Sequence, residues 1–140
     1  MNIKTNLFLA AIILGGFFVA QELRAAEKKP PYTKAECEVW NREKSFAASV
    51  ENHDAKAFAE HLDANAIFIN GDGSSAKGRD AVTKDWAAII VGKDIIVSWS
   101  PDFVSVSSDG KSAISRGPFW MENTNPQARE KYRTGIYQST

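Results

Sequence analysis

The chain has 140 residues, with Lys plus Arg and Asp plus Glu numbering 17 each. That balance, with both signs interspersed, gives no electrostatic reason to expect a nucleic-acid surface. Setting aside an N-terminal targeting segment leaves about a hundred residues, enough for one domain around one core.

Residues 1–26 have the three-part layout of a secretory signal peptide. Lys4 supplies the positive charge, Leu7 to Ala20 is apolar, and Gln21 to Ala26 turns polar and then small. The apolar run falls short of the roughly 20 residues that a membrane-spanning helix needs. The protein is therefore expected to be exported, periplasmic or secreted from a bacterium, with no membrane attachment after cleavage. A cut after Ala25 or Ala26 leaves Leu23 or Arg24 three positions back, so an uncleaved anchor is the alternative. Removing Lys4, Arg24 and Glu22 from the 17 and 17 leaves 15 basic and 16 acidic residues. Residues 27–33, with Lys28-Lys29-Pro30-Pro31, read as a solvated linker, and residues 34–140 as the domain. The lone Cys37 has no partner within this chain for a disulfide, and its helical spacing predicts a small buried core residue.

Thr33 followed by Glu36 is a capping-box pattern that starts a helix. Val39, Trp40, Phe46, Ala47 and Val50 give that helix one apolar stripe. Asn52-His53 breaks it, and Asp54 caps a second, shorter helix carrying Phe58 and Leu62. His53 is expected to be exposed in the turn. Ala66 to Asn70 is a short segment of strand formers, and Gly71-Asp72-Gly73 closes it as a turn. Gly78-Arg79-Asp80 opens a third helix with Val82, Trp86, Ile89 and Ile90 on one face, ended by Gly92.

From Ile95 onward the period is two. Ile95, Val97 and Trp99 alternate with Ile96, Ser98 and Ser100; Pro101-Asp102 marks a break, and Phe103 to Ser107 resumes as strand. Ser108-Asp109-Gly110-Lys111 is a hairpin signal. Ser112 to Glu122 returns, with Gly117-Pro118 marking an edge or a bulge. After a polar loop, Tyr132 to Thr140 forms a last strand. Helices grouped before a meander point to an α+β fold, a curved antiparallel sheet with helices packed on one face.

The order of elements and these residues resemble the nuclear-transport-factor-2-like superfamily, nearest its SnoaL-like and ketosteroid-isomerase-related branch of unassigned function. The resemblance rests on Asp54, Ala66 to Asn70, Gly78-Arg79-Asp80-Ala81-Val82, Trp99-Ser-Pro-Asp-Phe103, Ser107-Ser-Asp-Gly110, Arg116-Gly-Pro118 and Gly135-Ile-Tyr137. It implies a cone enclosing an internal pocket. Such proteins usually carry one more strand after the one containing Gly135-Ile-Tyr137, so a natural short form and a truncated sequence are both open.

In ketosteroid isomerase an Asp base works with an oxyanion hole of a Tyr and a neutral Asp. Alignment without gaps places the base position on Asn70 and the tyrosine position on Phe46. An amide does not take up a substrate proton at neutral pH, and a phenyl ring donates no hydrogen bond. Weak catalytic candidates remain in Asp63, Asn70 and Arg116, acting on a carbonyl-containing small molecule in an isomerase, cyclase or dehydratase. Against these stand plain structural roles: Asp63 ending the second helix, Asn70 closing the turn, and Arg116 as a solvated strand residue. His61 at a helix end suits the carbonyl dipole as a cation. Cys37, His53 and His61 lack any metal-ligand spacing, so no metal and no cofactor is expected.

The rings are numerous for a small domain. Most must be core, and a subset facing the open end of the cone would line an apolar site with few polar groups. Asn70, Trp99, Arg116, Trp120 and Tyr137 are the ligand-binding candidates. The reading is a domain that binds a small apolar or amphipathic molecule, or else serves as a dimeric interaction module, a homodimer then forming through the open sheet face. A purely structural dimer through that face predicts instead an interior filled by side chains.

Overall fold

The computed structural model describes residues 32–140; the expected signal peptide and residues 27–31 of the linker lie outside the described residues. The elements run α1 (Lys34–Glu51), α2 (Ala55–His61), β1 (Ile67–Ile69), β2 (Ser75–Lys77), α3 (Arg79–Val91), β3 (Ile95–Trp99), β4 (Phe103–Val106), β5 (Ala113–Asn123) and β6 (Tyr132–Ser139). The capping box at Thr33 forms in full: its Oγ1 accepts from Glu36 N at 3.2 Å, and Glu36 Oε2 accepts from Thr33 N at 2.8 Å. Asp54 caps α2 by accepting from Ala57 N at 2.9 Å. The αL conformation of Gly92 ends α3, as a residue without Cβ allows.

β2 is an element that the residue pattern does not predict. Ser75-Ala-Lys77 has little strand preference of its own, and pairing with β1 creates it, with Phe68 opposite Ala76. These two strands form a sheet of their own.

β5 is the spine of the main sheet. One of its sides pairs with β3 over residues 119–123 and with β4 over residues 113–116, while its other side pairs with β6 over residues 115–122. β3 and β4 are therefore one strand interrupted by a bulge at Ser100 to Asp102. Two bonds bracket the bulge, Ser100 N to Pro118 O at 3.3 Å and Asp102 N to Arg116 O at 2.9 Å. A proline in a central strand removes a ladder donor. Here Pro118 lies opposite the bulge, where the regular ladder is already broken. Gly117 is required for a related reason: a Cβ there would run into the carbonyl oxygen of Ser100.

The helices pack on one face of this sheet. Val50, Phe58, Leu62, Val82 and Ile90 form the buried core, and each such side chain contributes about 1.5–3 kcal/mol by leaving water. Phe46, Phe68, Trp86 and Trp99 pack around them. Ring centroids lie 5.0 Å apart for Phe46 and Phe58, 5.4 Å for Phe58 and Trp86, and 5.4 Å for Phe46 and Trp99. These rings form one connected cluster that joins the three helices to the end of β3.

Cys37 departs from its expected place. It is exposed, because the first turn of α1 runs past the core. There Trp40 packs on Tyr32 with ring centroids 5.2 Å apart, and Cys37 Sγ donates to Tyr32 O at 3.9 Å. His53 is exposed as expected, yet anchored: its Nδ1 lies 2.8 Å from Ile90 O.

Candidate functional site

Strand alternation gives the sheet two chemically distinct faces. Val97, Trp99, Val104, Ser115, Phe119, Tyr137 and Ser139 share the face toward the helices, and Val104 and Ser115 are each 2% exposed. Ile96, Ser98, Phe103, Ile114, Arg116, Pro118, Trp120, Tyr132, Thr134 and Ile136 share the other face by the same registers.

A buried polar cluster lies on the inner face. The Glu43 carboxylate, 6% exposed, accepts from Trp99 Nε1 at 2.7 Å through Oε1 and from Ser139 Oγ at 2.8 Å through Oε2. Next to it, the Tyr137 hydroxyl and Ser115 Oγ are 3.1 Å apart, and the Tyr137 ring meets Trp99 at 6.2 Å. Burial pushes the Tyr137 phenol up to about 12, and the negative charges of Glu43 and Asp102 push the same way against the bond from Ser115. The sequence reading passes over Glu43. Its signal is a carboxylate inside the apolar stripe, four residues after Val39 and four before Ala47.

His61 also departs from expectation. Its Nε2 lies 3.1 Å from Ser45 Oγ, its ring meets Phe46 at 5.3 Å, and its Nδ1 is buried without a hydrogen-bond partner. Burial lowers its pKa below the ordinary 6.5, Arg42 adds to this, and Glu60 opposes it. The imidazole is therefore neutral near pH 7. Desolvation outweighs the attraction of the helix end on which the expectation of a cation rests.

The candidate residues divide among several places. Trp99 and Tyr137 face the interior. Trp120 and Arg116 project from the opposite face, since two-residue alternation puts Trp120 opposite Ser98 while Trp99 lies opposite Phe119. Trp120 stacks on Tyr132 at 5.9 Å, and the Arg116 guanidinium sits 5.5 Å from the Phe103 ring centre. Asn70 closes the β1–β2 turn. Its N donates to Ser74 O at 2.8 Å, and its Nδ2 donates to Ser74 Oγ at 3.1 Å and to Asp85 Oδ2 at 3.2 Å. Asp63 is exposed beyond α2 and accepts from Asn65 N at 2.8 Å. Asp63, Asn70 and Arg116 share no hydrogen bond or ion pair. Among the described residues, no three His, Cys, Asp or Glu side chains converge as a metal site.

An open groove of about 640 Å³ crosses β3, β5 and β6. Ser98, Ser100, Pro118, Trp120, Thr134 and Ile136 line it together with Trp99, Phe119 and Gly135 of the other face and with Glu51 of α1. Around it, Ile136 is 65% exposed and Tyr132 53%, so large apolar side chains meet solvent beside a concave surface. Contiguous apolar surface of this kind marks interaction sites.

No family model matches the sequence, and no curated protein matches it. Solved structures do match. A ketosteroid isomerase-like protein from Erwinia carotovora atroseptica superposes with a TM-score of 0.57 at 12% identity, over 76% of this chain and 81% of its own. An LEH-like epoxide hydrolase of M. tuberculosis gives 0.54 at 11%, over 78% and 74%. A domain of unknown function with a cystatin-like fold from Nostoc punctiforme gives 0.51 at 18%, over 76% and 68%. At such identities the likeness speaks for the fold, and one fold hosts many functions. With its helices preceding a curved antiparallel sheet, this chain has the nuclear-transport-factor-2-like cone fold.

Proposed function

We propose that the protein is an exported binding domain for a small apolar or amphipathic molecule, and that the molecule sits in the groove across β3, β5 and β6. The observation that carries this reading is the lining of the 640 Å³ groove, where Trp120, Pro118 and Ile136 adjoin Ser98 and Thr134. Small-molecule sites combine an apolar wall with a few polar groups in this way. Export rests on the signal-like residues 1–26. An isomerase, cyclase or dehydratase would need reacting groups that converge, and Asp63, Asn70 and Arg116 stand on separate elements.

Titration with anilinonaphthalene sulfonate, followed by its fluorescence, tests the site. Saturable binding to the folded protein is expected, lost in Trp120→Ala and in Ile136→Ser. Binding that survives both substitutions, or none at all in the native protein, would sink the proposal.

A second reading has its own support. Ile96, Phe103, Ile114, Tyr132 and Ile136 are all exposed on this face, which gives a dimer through the open sheet face an apolar surface to bury. Sedimentation velocity distinguishes the two readings. A dimer dissociated by Ile136→Glu supports self-association, and a monomer at high concentration rules it out.

A further inference from the structure

We infer that Asn70 is a site of spontaneous deamidation, at which the β1–β2 turn exchanges an amide for a carboxylate in the folded protein. The reaction is intramolecular. The backbone nitrogen of Gly71 bonds to Asn70 Cγ, the Cγ–Nδ2 bond breaks, and the Gly71 amide proton passes to solvent base while the side-chain nitrogen leaves as ammonia. Water then opens the cyclic imide to aspartate or isoaspartate. The balance is one water consumed and one ammonia released.

Four observations place the reaction here. Asn70 is followed by glycine, whereas every other asparagine of the chain is followed by a residue with a side chain that hinders the approach. Gly71 is exposed, and its N–H makes no hydrogen bond among the described residues; the turn is held instead by Asn70 N to Ser74 O at 2.8 Å and Gly73 N to Asn70 O at 2.9 Å. Nor is glycine demanded at position 71 by the fold. Its φ is not positive, and an added Cβ would meet only Arg133 Nη1, at 3.9 Å. The missing side chain thus serves neither turn geometry nor packing, and it leaves the nucleophilic nitrogen open.

The product changes the turn chemically. Asn70 Nδ2 donates to Asp85 Oδ2 of α3 at 3.2 Å, and a carboxylate has no hydrogen to donate. The new charge would face Asp85 at hydrogen-bond range, and like charges so placed repel. Deamidation therefore replaces a bond between hairpin and helix with a repulsion, while isoaspartate also lengthens the backbone of the turn.

The test is ageing of the folded full-length chain in mildly alkaline buffer, with peptide mapping by mass spectrometry. Acid is expected to accumulate at Asn70 ahead of Asn65 and Asn123, and Gly71→Ala, which the space at position 71 accepts, should remove that lead. Asn70→Asp supplies the product for comparison: it should match the aged protein in charge and show weaker hydrogen-exchange protection in the β1–β2 turn than the fresh protein. Acid forming at Asn70 no faster than at Asn123 overturns the inference. So does a lead that appears only in urea, because the fold would then be protecting the site.

Discussion

The indole N–H of Trp99 donates to the Glu43 carboxylate at 2.7 Å, joining the middle of α1 to the end of β3 across 56 positions of sequence. Through its second oxygen the same carboxylate holds Ser139 near the end of β6. One buried side chain thus links the first helix, the bulged strand and the last strand. The link is polar because Trp99 brings an N–H into an apolar interior, and an unpaired donor there is costly.

Glu43→Ala should therefore destabilise the fold by about 3 kcal/mol, since it strands both the Trp99 and Ser139 donors. Glu43→Gln keeps one acceptor oxygen and should cost about 1 kcal/mol. Urea unfolding of both variants measures the difference. An alanine variant within about 0.5 kcal/mol of the parent, the range of an ordinary surface change, would refute the linking role.

Gly117→Ala should be among the most damaging single-methyl additions in the sheet. The new Cβ meets backbone, the Ser100 carbonyl oxygen and Asp102 N, and backbone in a paired strand does not step aside as a flexible side chain would. A loss of about 1–3 kcal/mol is expected from overpacking, read as a lower midpoint in thermal or urea unfolding. Gly110→Ala is a comparison in which nothing lies near the added methyl, although its positive φ carries a strain of its own. Equal losses at the two positions would mean that contact with the bulge is not the cause.

Much of this architecture is legible from residues alone. The capping box at Thr33, the cap at Asp54 and the αL Gly92 are local chemistry, and each forms where its residues stand. The break at Pro101-Asp102 and the irregularity at Gly117-Pro118 are each legible from proline and glycine, whereas their lying opposite one another is not, because it depends on strand register. β2 is illegible, since Ser75-Ala-Lys77 becomes strand only through β1. The face on which a ring lies depends on register, which ring counting ignores. Trp99 and Trp120 look alike in sequence yet point to opposite sides of the sheet. Cys37 misleads for another reason: helical spacing describes a stripe but not where the core beneath it ends.

His61 should make the fold sensitive to mild acid. Its folded-state pKa lies below the ordinary 6.5, through burial first and then Arg42, with Glu60 opposing. The unfolded chain therefore binds the proton more readily than the folded one. Its contribution to stability is intact above pH 6.5 and declines as pH falls below it toward the lower folded value. His61→Gln, which can still reach Ser45, should flatten the stability curve in that window. A variant whose acid limb keeps the slope of the parent would assign the sensitivity elsewhere.

Tyr137 gives a corresponding signature at the alkaline end. Its phenol ordinarily ionises at 10.0 and is pushed up to about 12 in the folded protein, chiefly by burial. The folded state thus holds this proton more tightly than the unfolded state between those values. The stability tied to the neutral phenol is complete below pH 10 and is lost as pH rises toward 12. Tyr32 and Tyr132 complete the set of three tyrosines, so ultraviolet titration of tyrosinate can isolate the shifted ring by difference. Tyr137→Phe should delete the component near pH 12 and leave the rest of the curve. It should also flatten the alkaline fall in stability, even though the loss of the bond to Ser115 lowers stability at neutral pH. If the variant instead deletes a component near pH 10, the Tyr137 phenol is not desolvated, and the packing of β6 against Glu43 is looser than these contacts require.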